Sequence, residues 1–510
     1  MDKTSRRKGR ALRRGAPPVR NVDYRHLRHP FTAQKVLSDD AVAAIHDMAL
    51  RLLEDLGLRV LLPEARAIYA SGGAIIDEGT EMVRIGRDMV AASLATAPKS
   101  IRMRAPNPER ELIYEEGALI FSPAGGCPNA TDRIRGRRPG NLATFEETLK
   151  LHQSFDVIHK LGPSAEPQDV PAHLRHYAMM RGQLTLSDKP LFVYARGRGQ
   201  IEDSFEMIRL AMGLSEDDFT DGSWATTVIN TNSPRQLDKP MAEGIIDFAR
   251  AGQLSIITPF CLAGAMAPVT VEGALVLQHA ECLAGITLAQ LVRPGAPVSY
   301  GGFSSNVDMK SGAPAFGTPT HIRLAIGTGQ LARHVGMPWR SAAGSASNVA
   351  DMQAAGENHM GLWANLVANA TLTVHSAGWL EGGLTFGYEK FINDIEALQI
   401  IAELCTPLSS NPDDLAWAAL SDVQPGGHFF ATQHTMDRFD RAFYGPLVAD
   451  LANHGSWEAA GAQTSTERAT SIWQTVLAEF APPDGSEGRG HRITRFIADR
   501  SAEGGAPPPD

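Results

Sequence analysis

Between Ala118 and Gly378 one unit repeats eight times, and this repeat restricts the chain more than any single residue does. Each unit joins a short apolar run, ending in Gly, Ser, Pro or Asn, to a longer stretch of helical spacing. The runs are ALIFSPAGG, DVIHKLG, PLFVYARG, WATTVINTNSP, LSIITPFCLAG, APVSYGGFSS, MPWRSAAGS and TLTVHSAG. Segments such as ATFEETLKLHQSF, IEDSFEMIRLAMG and PMAEGIIDFARAG lie between them. Strand-length runs alternating with helical segments predict βαβ units and a parallel sheet. Eight units predict an α/β fold closed as a (β/α)8 TIM barrel, with an open doubly wound sheet as the structural alternative. A barrel of this kind carries its site at the C-terminal ends of the strands. The residues that close each apolar run are therefore the ones to read for chemistry.

The chain has 510 residues, well beyond the roughly 250 of one barrel, so flanking segments are expected. Residues 1–30 include SRRKGRALRRG, with five Arg and one Lys and no apolar run behind it. They read as a disordered basic arm rather than a secretory signal. Residues 31–117 read as a small α+β N-terminal domain. DDAVAAIHDMALRLLEDLG is an amphipathic helix with Ser38 or Asp39 as N-cap and Gly57 as C-cap, GAIIDEGTEMVRI a hairpin, and GRDMVAASLATAP a second helix. The barrel is expected over 118–405, a helical C-terminal extension over 406–483, and a mostly disordered tail over 484–510.

Composition narrows the function classes. A net charge of −9 gives no reason to expect nucleic acid as a partner. Four cysteines (Cys127, Cys261, Cys282, Cys405) in so long a chain do not form a disulfide framework, which fits a cytoplasmic protein. The apolar stretch Val271–Leu291 is interrupted by Glu272, His279 and Glu281, which suits a buried helix better than a membrane span. Phosphate-loop, GxGxxG, HExxH, CxxC and GxSxG motifs are all missing, so nucleotide binding, a metal site and serine hydrolysis have no support.

Positive signals cluster at the run ends. The fourth run closes with Asn230, Asn232 and Ser233, and the sixth with Tyr300, Ser304, Ser305 and Asn306. The seventh supplies Ser345, Ser347 and Asn348, followed by Asp351, Gln353, Glu357 and His359. The eighth supplies His375, Trp379 and Glu381, then Phe386, Tyr388 and Glu389. Aromatic walls with a few carboxylates suit a cation. Each of these residues could instead cap a helix or satisfy a loop; Asp351 in particular fits an N-cap. His279 and Glu281, in an apolar helix, need partners when buried and read as structural.

Several segments resemble the trimethylamine methyltransferase family: TPFCLAGAMAPVTVEGALVLQHAECLAGITLAQLVRPGAPVSYGGFSSNVDMKSG, DMQAAGENHMGLWANLVANATLTVHSAGWLEGGLTFGYEKFINDIEAL, PAGGCPNATDRIRGRRPGNLATFEETLKLHQSFDVIH, SDKPLFVYARG and GGHFFATQHTMDRF. The resemblance runs in order from about Ala33 to Ala481. It implies a barrel that moves a methyl group from an amine to the cobalt of a separate corrinoid protein. Trimethylamine enzymes of the family carry pyrrolysine near the seventh strand end, whereas RSAAGSASNVAD (340–351) here holds ordinary residues. The chain thus resembles the members lacking pyrrolysine, some of which demethylate quaternary amines such as glycine betaine.

A quaternary ammonium already has a neutral amine as leaving group and cobalt(I) is itself the nucleophile, so no protein nucleophile is required. The chain's tasks are to bind a cation, orient one methyl toward the barrel mouth and exclude water. Trp379, Phe386 and Tyr388 are the expected aromatic contacts, with Tyr300 behind them. Glu381 or Glu357 would balance charge, and His375 or His359 would bind a substrate carboxylate. Asn230, Asn232, Ser304, Ser345 and Asn348 are the expected strand-end polar groups. No tightly bound cofactor and no metal are expected; cobalamin would arrive on the partner. A homo-oligomer is compatible with this reading. The alternatives are a barrel enzyme of another class and a non-catalytic betaine-binding protein.

Overall fold

The computed structural model describes residues 21–508. Seven parallel strands form there in the order of the repeat: β1 (Ala118–Phe121), β2 (Leu191–Phe192), β3 (Ala225–Ile229), β4 (Leu254–Ile257), β5 (Val298–Gly301), β6 (Trp339–Ala342) and β7 (Leu372–Val374). Each pairs with its successor from β2 to β7, and β7 returns to pair with β1, Leu372 opposite Ile120. The sheet is therefore curled, with β1 and β2 facing each other across a gap. The second run, 156–162, lies in that gap without forming a strand. Its His159 N–H donates to Phe121 O at 3.0 Å and its Leu161 N–H donates to Pro190 O at 3.3 Å. A regular ladder fails because the His159 ring takes over one bond: Nδ1 accepts from the Phe121 N–H at 3.1 Å.

Eight helices follow the eight runs: α1 (Leu142–Ser154), α2 (Ala172–Leu186), α3 (Arg198–Met212), α4 (Lys239–Arg250), α5 (Val271–Val292), α6 (Pro319–His334), α7 (Met352–Val367) and α8 (Tyr388–Leu404). Their starts follow capping chemistry. Asn141, Asp238, Thr270, Thr318 and Asp351 each accept a backbone N–H of the first turn. Among the described residues α5 is the helix long and apolar enough to cross a membrane, and it is mostly buried in the molecule. The reason is a second layer: the helices Asp39–Arg51 and Arg87–Thr96 pack on its outer face, and Tyr69 OH donates to Ala284 O at 2.8 Å. His279 of α5 is held between His46 and Tyr300, with 2.8 Å on each side.

The N-terminal segment also supplies the floor. Ser100–Met103 and Leu112–Glu115 pair as a hairpin, and Ile101, Met103, Leu112 and Tyr114 pack with Ile120, Leu254, Ile256 and Leu372 inside the curled sheet. Tyr114 OH meets Ser299 Oγ at 2.8 Å. One end of the sheet is thus plugged, and an interior space is left toward the strand C-termini.

Two expectations about the ends change. Of the basic arm, residues 1–20 lie outside the described residues, but 21–30 are engaged: Leu27–Arg28 pairs antiparallel with β1, and Arg25 bridges to Glu403 at 2.8 Å. In the tail, Ser486–Ala502 forms a helix packed on α2 and α3. Its high charge reads as disorder in sequence, yet the arginines serve as caps. Arg489 donates to Leu184 O and Arg492 to Ala211 O, carbonyls near the ends of α2 and α3.

Candidate active site

The strand C-termini open into a cavity of about 500 Å3. Period-2 alternation decides what reaches it: in β6, Trp339 faces the helices, where its Nε1–H donates to Asn369 O at 3.0 Å, and Arg340 faces inward. Val228, Ile256, Leu372 and Val374 form the apolar base. The wall is aromatic. Phe303 packs edge-on to Trp379 with centroids 5.6 Å apart, His375 stacks on Trp379 at 4.7 Å, and Phe260 stacks on Phe303 at 5.2 Å. Phe192 and Tyr194 line the opposite side. The Trp379 ring fits only because Gly344 has no side chain: a Cβ there, at φ +113°, would lie 2.2 Å from the indole.

The charges in this cavity are positive. Arg340 is buried, its guanidinium 5.4 Å from the Phe303 ring, and among the described residues its Nε and Nη1 have no hydrogen-bond partner. Burial pushes its pKa down to about 10. Lys160, also buried, lies 4.7 Å over the Phe192 ring and donates to Leu161 O at 3.2 Å. Burial, reinforced by Arg340, pushes its ammonium down to about 7. His375 is held well below the usual imidazole range by burial and by Arg340. The Gly125 N lies 3.3 Å from its Nδ1 and Arg340 Nη2 3.5 Å from its Nε2. Arg340 and Lys160 thus turn cationic donors toward one space. Arg196, nearby, is already paired with Glu166. Asp238, the carboxylate among the described lining residues, caps α4 and accepts from Asn232 Nδ2 at 3.1 Å. An anion is the complement this cluster lacks.

Of the residues read from sequence, Trp379, His375, Asn230 and Asn232 line the cavity. The others do not. Phe386 is buried beside Trp379, its strand partner, and Tyr388 OH donates to Glu147 at 2.5 Å beneath Arg135. Tyr300 points the other way, to His279. Glu381 lies at the rim in a two-pronged pair with Arg137 at 3.0 Å, fastening the first and eighth loops. Glu357 accepts from Ser345 Oγ at 2.6 Å and the Ala346 N–H at 2.8 Å, which engages Ser345 as well. Ser304 donates to Gln278 at 2.6 Å, Asn348 is exposed, and His359 sits on the outer flank of α7. Glu281 accepts from Thr231 at 2.5 Å, Ser233 at 2.6 Å and the Arg235 N–H at 2.7 Å, so it pins the loop carrying Thr231 and Asn232 to the cavity. Arg340, Lys160, Phe303, Phe260 and Tyr194 were missed. The available signal was a charge inside a strand-length apolar run: Arg340 in MPWRSAAGS and Lys160 in DVIHKLG.

The trimethylamine methyltransferase family model matches residues 3–505. The chain belongs to this family. It is a methyltransferase. The chain is 32% identical over 472 residues to the glycine betaine methyltransferase of Desulfitobacterium hafniense (strain Y51), covering 92% of this chain and 98% of that one. It is 28% identical over 456 residues to the trimethylamine methyltransferase MttB of Desulfitobacterium hafniense (strain DSM 10664 / DCB-2), covering 87% and 90%. The crystal structure of the Methanosarcina barkeri monomethylamine methyltransferase MtmB superposes with a TM-score of 0.45 at 9% identity, over 92% and 95% of the two chains.

Proposed function

We propose that this methyltransferase takes a methyl group from a carboxylate-bearing quaternary amine, a betaine, and passes it to the cobalt of a separate corrinoid protein. The observation that carries the reading is the pairing of an aromatic wall with two buried cations, Arg340 and Lys160, that have no carboxylate partner among the described residues. Ring faces attract a quaternary ammonium, and Arg340 and Lys160 call for a carboxylate. Trimethylamine would leave those donors unmatched. The 32% identity to a glycine betaine methyltransferase supports the same substrate class.

In the reaction, the N–CH3 bond breaks with its electron pair left on nitrogen, giving a neutral tertiary amine. The new C–Co bond takes its pair from cobalt(I), so no proton need move. The protein binds, orients and dehydrates. Trp379, Phe303 and Phe260 hold the ammonium, and the anion cluster sets which methyl faces the mouth. The loop rim exposes Ile134, Met309, Val349, Met352 and Leu384, an apolar surface suited to a protein partner that comes and goes. The curled parallel sheet, bridged at its gap by the 156–162 segment, is read as a closed (β/α)8 barrel; residues 31–117 form its small α+β N-terminal domain and 406–483 its helical extension.

The experiment incubates the protein with cob(I)alamin and candidate amines while following the cobalt spectrum. Methylcobalamin should form from glycine betaine and not from trimethylamine. Absence of methylcobalamin with glycine betaine, carnitine, proline betaine, choline and trimethylamine alike would overturn the proposal.

A further inference from the structure

Three lysines are buried among the described residues, and their surroundings differ. Lys390 is paired with Asp394 at 2.5 Å. Lys189 donates to His152 O at 2.7 Å and to Phe155 O at 2.8 Å, and does not line the strand-end cavity. Lys160 is the exception. It lines the cavity from the segment that bridges the gap in the sheet, and it has no carboxylate partner among the described residues. Its ammonium donates to one carbonyl, Leu161 O, at 3.2 Å. Arg340 lines the same cavity, with Nε and Nη1 unpartnered. Burial and the repulsion from Arg340 push Lys160 down to about 7, so about half of it is free amine at neutral pH. A nucleophilic amine, a cavity that admits small molecules and a waiting cation are therefore found together. A lysine carbamate requires all three.

We propose that Lys160, when no substrate is bound, reversibly takes up CO2 as a carbamate, and that this modification turns the cavity from betaines toward quaternary ammonium ions that carry no carboxylate. The Nζ lone pair attacks the carbon of CO2. A C–N bond forms, one C–O π bond breaks with its pair going to oxygen, and a proton leaves the nitrogen for solvent. The step needs no oxidant or reductant, and the product carries one negative charge. Arg340 supplies the charge-assisted hydrogen bonds that the new oxygens require. The apolar base of Val228, Ile256, Leu372 and Val374, with Phe192 beneath Lys160, limits the water that would return a proton and release CO2. The change in ligand preference rests on the betaine reading above. With free Lys160 the cavity offers cations to a carboxylate. With the carbamate in place a betaine carboxylate must compete for Arg340, while an ammonium on Trp379 and Phe303 no longer faces an uncompensated positive charge.

The test equilibrates the full-length protein with isotopically labelled CO2 at fixed pH, traps carbamates with triethyloxonium ion and locates them by peptide mass spectrometry. The label should sit on Lys160 and vanish in Lys160→Arg, which keeps the cation. Lys189, equally buried but tied to two carbonyls, is the internal control and should stay unlabelled. Arg340→Met should weaken CO2 uptake by roughly 10-fold or more. In titration calorimetry, saturating CO2 should raise the Kd of glycine betaine by roughly 10-fold and lower that of tetramethylammonium severalfold. Lys160→Arg should show neither response. Label confined to exposed amines overturns the proposal, as does a labelled Lys160 that leaves both affinities unchanged. A labelled Lys160 with tightened tetramethylammonium, but no glycine betaine binding under any gas, would uphold the carbamate and remove the betaine reading instead.

Discussion

Arg340→Met should make the unliganded protein more stable and the liganded one weaker, an opposition of sign that few substitutions produce. The guanidinium is 3% exposed, has two nitrogens without partners among the described residues, and is pushed down from its ordinary value to about 10 by burial. Keeping it charged at neutral pH therefore costs the folded state roughly 3 kcal/mol. Methionine keeps much of the stem volume and removes that cost. It also removes the guanidinium over Phe303 at 5.4 Å, a contact of about 1–2 kcal/mol when desolvated. The balance is a gain of about 1–2 kcal/mol in urea denaturation at unchanged m-value. Binding moves the other way. Losing charge-assisted hydrogen bonds to a carboxylate costs about 1.5–3 kcal/mol, roughly 10- to 150-fold in Kd for glycine betaine by titration calorimetry. Trimethylamine, which has no carboxylate, serves as the control and should bind no worse. A variant that is less stable than the wild type and binds glycine betaine within about threefold of it would refute the anion-site reasoning.

Two further outcomes follow from the same cavity. Lys160, pushed down to about 7, regains its proton when a carboxylate arrives. Betaine affinity should be complete below pH 7 and decline as pH rises above it toward the bound-state value, with net proton uptake on binding near pH 7; Lys160→Met should flatten that window, and an unaltered profile would remove Lys160 from the site. Trp379→Ala should weaken glycine betaine and trimethylammonium ligands alike by about 3- to 30-fold without loss of secondary structure. Gly344→Ala, whose Cβ would press on the same ring, should reproduce the loss. Binding unchanged in both variants would place the ammonium elsewhere.

The repeat, the helix starts and the face on which the cavity opens were legible in the chain because each is encoded locally. Apolar periodicity distinguishes strand from helix within a dozen residues, and Asn141, Asp238, Thr270 and Asp351 cap the turns that follow them. Where a residue lies in sequence also placed it near a strand end. Which way it points did not follow. Tyr300 and Arg340 both belong to apolar runs, yet the pleat sends the tyrosine out to His279 and the arginine into the cavity. Phe386 and Tyr388 have the right composition for an aromatic cage and are consumed by packing.

Charge pairing was equally hidden, because its partners are distant in the chain. Glu381 is neutralised by Arg137, Glu357 is taken up by Ser345 and the Ala346 N–H, and Glu281 by Thr231, Ser233 and the Arg235 N–H. Glu381 and Glu357, the carboxylates that looked available to a cation, were already engaged, and the charges without a counter-ion in the cavity, Arg340 and Lys160, proved to be cationic. Sequence alone determined the repeating unit, its caps, the family resemblance and the end of the sheet where the cavity opens, since these rest on short-range pattern. The tertiary structure decided the sign of the cavity, since a buried charge is defined by what does not surround it, and that depends on every strand that closes over it.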